Sequence, residues 1–202
     1  MLAIVSGWAV DQLVARDIIR SQRRAVYQYG CELVLSTALS VLFILFAGLF
    51  LHRFLPAFIF IAFFMPVRTV SSGYHAPSYG RCFLLTNLIA FVCVFGAAYC
   101  LRLADSLQWG MWLLFLAAHL FIWRRGPFRS RKHPLKEETV MKNRTYMHRI
   151  QILEIIVAVC FHIAESRHIL YTAVLATAAV ALMIAVAEKE EGKNVGSISG
   201  NL

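Results

Sequence analysis

His75 and Cys82, an imidazole and a thiol, stand seven positions apart in a polar stretch, 66–82, that interrupts two apolar runs. It reads Pro66-Val67-Arg68-Thr69-Val70-Ser71-Ser72-Gly73-Tyr74-His75-Ala76-Pro77-Ser78-Tyr79-Gly80-Arg81-Cys82. Nucleophilic attack by sulfur needs a thiolate and an imidazole within hydrogen-bond reach. In an unbroken helix, residues seven apart lie on one face but about 10 Å apart along the axis, which is too far. Gly73, Pro77 and Gly80 predict a break instead, and a turn there could bring a ring nitrogen to the sulfur. Cys82 falls where the next apolar run begins. A helix N-terminus favours anions, Arg68 and Arg81 would add to that effect, and the backbone amides there could serve as an oxyanion hole. Asn87, five residues further on, could orient His75 or simply belong to a polar face inside a bundle. A boundary thiol beside a solvated histidine would show the same spacing, so spacing alone does not choose.

The frame around this stretch is that of a membrane protein. Of 202 residues, 59% are hydrophobic and 15% charged, against about 45–50% and about 25% in soluble domains. The expected fold is a single all-α integral membrane domain. Its apolar runs are 31–51, 54–67, 82–101, 107–123, 150–164 and 169–187. They give six transmembrane helices, or five if the short, proline-flanked 54–67 is re-entrant. Residues 1–29 mix apolar positions at helical spacing with Asp11, Arg16, Asp17, Arg20, Arg23 and Arg24, which suggests an interfacial amphipathic helix; a mobile arm is the other reading. Spans one to four then occupy 31–123, a basic loop 124–149, and spans five and six 150–187. The polar tail 188–202 is expected to be flexible.

The lysines and arginines favour six spans with both termini cytoplasmic. That arrangement leaves only Arg53, Arg102 and Arg167 on the outer side, as the positive-inside rule requires. It places His75 and Cys82 at the cytoplasmic face, beside the basic loop. Arg129, Arg131, Lys132 and Lys136 in that loop could be topology determinants and anionic-lipid contacts, or a docking surface for an acidic peptide.

The remaining chemistry is sparse. The five cysteines, 31, 82, 93, 100 and 160, form no CxxC pair and read as no disulfide framework. His75 and Cys82 are too few ligands for a metal site, neither His52, His119 nor Cys31 has a spacing that adds to them, and no cofactor is implied. The net charge of +9 comes without aromatic interleaving and within an apolar frame, which argues against nucleic acid. Glu154 and His162 sit inside span five, where ionisable groups are costly. Eight apart, they could share an inward face, as cavity or proton-path residues or as a packed polar pair.

The string Val67-Arg68-Thr69, Ser71, Gly73, His75-Ala76, with Cys82 and Asn87 downstream, resembles the accessory gene regulator B (AgrB) family, bacterial membrane endopeptidases that process quorum-sensing propeptides. The resemblance extends to six spans and to the basic Arg129-Ser130-Arg131-Lys132-His133-Pro134 segment between spans four and five. It implies that Cys82 attacks a carbonyl near the C-terminus of a small propeptide and that His75 serves as base and then acid. Arg68, Gly73, Arg81 and Asn87 stand as candidates for supporting, oxyanion or orienting roles beside this pair. A propeptide thiol or hydroxyl then takes over the resulting thioester, giving a cyclic thiolactone or lactone. The implied partners are membrane lipids of the bacterial cell membrane and a propeptide with an amphipathic leader and an acidic tail, which Arg129, Arg131, Lys132 and Lys136 would bind. A homodimer would suit a small bundle that must enclose a peptide. The alternative from another class is a non-enzymatic transporter or exporter, gated by the basic loop and proton-linked through Glu154 and His162.

Overall fold

The computed structural model describes residues 2–71, 79–102, 107–127 and 137–199. Their regular structure is entirely helical: α1 (Leu2–Ala15), a 3₁₀ turn (Ser21–Arg23), α2 (Arg24–Phe50), α3 (Phe54–Ser71), α4 (Tyr79–Cys100), α5 (Leu107–Arg125), α6 (Glu137–Ile163) and α7 (Arg167–Ser199). Among the described residues, five segments are long and apolar enough to cross a bilayer: Ser21–Phe50, Phe54–Ser71, Gly80–Cys100, Glu137–Ile163 and Arg167–Glu191. Helix α5, whose apolar stretch is diluted by Gln108, His119, Arg124 and Arg125, packs among them.

Helix α7 is the axis of the bundle, contacting α3, α4, α5 and α6. Its buried side is small and apolar, with Ala173, Val174, Ala176, Val180, Ile184 and Ala187, so neighbouring backbones approach closely where lipid offers no hydrophobic drive between helices. Phe60, Phe63, Phe64 and Val67 of α3 fill the space against it, and Phe60 stacks on Phe64 at 4.8 Å. Where α2 turns into α3, a Cβ on Gly48 would stand 2.5 Å from the Ala57 Cβ. Only glycine permits that approach. The outer faces expose Leu42, Phe46, Phe50, Leu88, Phe91 and Leu113, as a lipid-facing surface should. Hydroxyls inside the spans are satisfied one turn back: Ser40, Thr172 and Thr177 donate to the carbonyls of Ser36, His168 and Ala173.

Three helices end in left-handed caps at residues other than glycine: Asp17, His52 and Glu165, with φ of 54°, 54° and 53°. Each makes the paired bonds of a Schellman motif; after α2, for example, His52 N–H reaches Leu49 O at 3.2 Å and Arg53 N–H reaches Gly48 O at 2.6 Å. These caps make the tight α2–α3 and α6–α7 turns that return the chain through the bundle.

Several expected boundaries shift. Within the stretch 66–82 expected to be a break, α3 continues to Ser71 and α4 begins at Tyr79, so Arg68 sits on a helix and not in a loop; 72–78 lie outside the described residues. Pro66 is tolerated inside α3. Helix α6 starts at Glu137, because its polar first half, with Glu137 and Glu138 in the first turn, is a sound helix start even though it is not apolar. The tail expected to be flexible after 187 continues α7 to Ser199, as its Glu and Lys residues are good helix formers. The N-terminal helix covers Leu2–Ala15 and packs on α2 as a hairpin: Arg24 grips Asp11 at 2.7 and 3.1 Å, and Ser6 and Gln28 donate to Glu32.

Candidate active site

Cys82 lies in the first turn of α4, half-buried, and it is not in a disulfide. Arg68, in the last turn of α3, reaches across to it. Its Nη2 stands 3.1 Å from Cys82 Sγ and its Nη1 donates to Thr86 Oγ1 at 2.6 Å. The fork of the guanidinium spans two side chains one turn apart on α4, a match that its planar donor geometry suits. Beneath it, the guanidinium carbon lies 5.4 Å from the centre of the Phe64 ring, one turn back on α3. Thr86 is almost fully buried, so the far anchor of Arg68 is shielded from water. The geometry presents a thiol at a helix N-terminus, with a cation fixed against the sulfur. That arrangement can stabilise negative charge on Sγ.

The other expected site residues divide. Arg81 is adjacent to Cys82 and exposed. Asn87 does not join Cys82. It sits roughly 140° round α4 from the cysteine, its Nδ2 donates to Phe83 O at 2.7 Å, and it lines an apolar cleft with Phe43, Ile44 and Ala90. His75 and Gly73 lie outside the described residues, as do Arg129, Arg131, Lys132 and Lys136. Among the basic residues that flank the last four, Arg125 pairs with Glu188 at 3.6 Å and Lys142 with Glu138 at 2.7 Å.

Thr86 and Phe64 were missed from sequence. Both were within reach of a simple signal, since each stands four residues from a motif residue, Cys82 and Arg68, and so shares its helix face. Glu154 and His162 do not form the shared inward pair their spacing allowed. Glu154 is buried beside His119 of α5, while His162 is exposed near the end of α6, where its Nδ1 meets Gln108 at 3.1 Å and Trp112 Nε1 at 3.4 Å. Among the described residues, no group of three His, Cys, Asp or Glu could hold a metal ion.

No curated protein and no solved structure matches the chain. The family model for accessory gene regulator B matches residues 8–186, nearly the whole helical bundle and all of the stretch that carries Arg68, Cys82 and Thr86. The chain therefore belongs to the accessory gene regulator B family, membrane proteins of quorum-sensing propeptide processing.

Proposed function

We propose that this protein is a cysteine endopeptidase that cleaves a propeptide near its C-terminus and hands the acyl group to a nucleophile within the same peptide. The observation that carries the reading is the Arg68–Cys82 contact, in which a fixed guanidinium faces a thiol in the first turn of a membrane helix.

In this reading His75 takes the thiol proton, and Cys82 Sγ attacks the scissile carbonyl. The S–C bond forms, the C–N bond breaks, and His75 passes the proton to the departing amine. Arg68 stabilises the sulfur's negative charge while Thr86 holds the guanidinium in place. Amides at the start of α4, with Gly73 and Arg81 nearby in sequence, are candidates for the developing oxyanion. A propeptide thiol or hydroxyl then attacks the thioester, its proton returns to Cys82, and a thiolactone or lactone leaves. No water is consumed, so a site at the edge of an apolar bundle suits the second step. The acidic tail of the propeptide would meet Arg129, Arg131, Lys132 and Lys136. The active site would face the cytoplasm, with both termini on that side. The competing transporter reading loses its proton-linked pair, because Glu154 and His162 stand apart in the bundle.

The test is expression of the chain with its propeptide in wild-type, Cys82→Ala and His75→Ala forms. Cleavage by the wild type alone, at equal membrane levels, is the expected result. Equal processing by all three would refute the reading.

A further inference from the structure

Helix α6 buries one stripe, Val140, Met147, Gln151, Glu154 and Ala158, whose spacing keeps a single face inward. Two of these residues are polar, in the middle of a segment apolar enough to cross a bilayer. Gln151 is 1% exposed, Glu154 5%, and His119, which meets them from α5, 4%. An unpaired charge at such a place is costly and is rarely retained without a partner.

The hydrogen bonds determine where protons stand. His119 Nδ1 lies 3.0 Å from the Phe115 carbonyl, which can only accept, so Nδ1 carries a hydrogen. The opposite ring nitrogen, Nε2, faces Glu154 Oε2 at 3.3 Å. A neutral ring would present a lone pair there, and an ionised carboxylate would answer with another. Two acceptors at that distance repel unless a proton stands between them. Gln151 does not supply it: its amide Nε2 donates to the His119 carbonyl at 3.0 Å, its Oε1 can only accept, and neither Glu154 oxygen receives a hydrogen bond from it. Nor do the neighbouring helices. Arg68, the one ionisable side chain of α3, is engaged at Cys82 and Thr86. Helix α7 has no ionisable residue between Tyr171 and Glu188, α5 none between His119 and Arg124, and α6 none besides Glu154 between Arg149 and Cys160.

We propose that His119 and Glu154 form a buried proton-binding site, in which the ring and the carboxyl share one proton and so close the joint between α5 and α6. Helix α5 packs chiefly on α7, and α6 chiefly on α3. The joint therefore ties together the two helices that lead into and out of the basic segment 128–136.

The full chain in lipid nanodiscs tests this in two ways. Infrared difference spectra of wild type against Glu154→Gln should contain either a protonated carboxyl band or a carboxylate band matched by an imidazolium band. A carboxylate with no imidazolium counterpart would overturn the proposal. Thermal unfolding supplies the second readout. Glu154→Gln brings an N–H donor to Nε2 and should melt within about 2 °C of wild type, whereas Glu154→Leu brings none and should melt about 5–15 °C lower, the shift expected when a buried pair is broken in a chain of this size. Glu154→Leu melting with the wild type, or Glu154→Gln melting as low as Glu154→Leu, would overturn it.

Discussion

Arg68 Nη2 stands 3.1 Å from Cys82 Sγ, and the other arm of the same guanidinium is held by Thr86 at 2.6 Å. Removing the guanidinium should therefore affect the sulfur more than the fold. Arg68→Gln is expected to slow propeptide cleavage about 100-fold, comparable to the loss of one charge-stabilising donor in other acyl-transfer sites. Arg68→Lys keeps a charge but cannot bridge Sγ and Oγ1 together, so it should fall between. Alkylation of Cys82 by iodoacetamide should slow in the same order. Equal alkylation rates in all three would show that Arg68 does not act on the thiol.

Thr86 acts through Arg68, so its loss should be milder. Thr86→Val keeps the volume but removes the acceptor, and should reduce kcat by about tenfold, one to two kcal/mol of hydrogen bonding to a charged group, with KM little changed. Thr86→Ser restores the acceptor and should recover most of the rate. A Thr86→Ser enzyme as slow as Thr86→Val would mean that packing, and not the hydroxyl, is what matters.

Gly48 permits the contact between α2 and α3, since an added Cβ would stand 2.5 Å from the Ala57 Cβ. Gly48→Ala should destabilise the bundle by about 1–3 kcal/mol through overpacking. Adding Ala57→Gly should restore part of the loss in a thermal melt. Loss without any recovery in the double variant would place the strain elsewhere.

His52 is exposed and holds φ 54° after α2, a conformation that costs a side-chain-bearing residue roughly 1–2 kcal/mol. His52→Gly should therefore stabilise the protein, by about 1 kcal/mol or some 2–4 °C. A lower melting temperature would mean that the side chain contributes more than the cap costs.

The α1–α2 hairpin carries a pH dependence of known sign. The hydrogen bonds from Arg24 hold the Asp11 carboxyl below its usual value of 3.8. A lowered value in the folded state means that the contribution is complete above the ordinary carboxylate range and is lost only as pH falls through the folded value. Amide exchange in α1, corrected for the intrinsic rate, should then be flat from pH 5 to pH 8 and quicken in acid, and Asp11→Asn should remove the acid-side change. Because the pair is open to solvent on the surface of the hairpin, salt should weaken it as well.

Much of this molecule was legible from residue types. Apolar runs located the helices that span, and the Arg–Thr–x–Ser–x–Gly–x–His–Ala string with its downstream cysteine pointed to the family. What escaped was set by contacts between helices. Hydropathy could not show that α3 continues through Arg68, because a polar last turn looks like a loop when its partner on α4 is unseen. Nor could the first half of α6 be recognised as helix, since its helical signals are charges and not apolar residues. Spacing along one helix paired Glu154 with His162, whereas the partner of Glu154 came from α5, which no single-helix periodicity can reveal. Asn87 was near Cys82 in sequence but on another face of α4.

Cleavage through Cys82 requires that the cysteine carry the propeptide as a thioester. The direct measurement is mass spectrometry of the wild-type chain isolated with its propeptide, reading the peptide that contains Cys82. The expected result is an adduct on Cys82 whose added mass equals that of the propeptide minus that of the released C-terminal fragment, discharged by hydroxylamine and absent from Cys82→Ala. A processed propeptide in wild type and in Cys82→Ala alike, with no adduct on Cys82 in either, would contradict it.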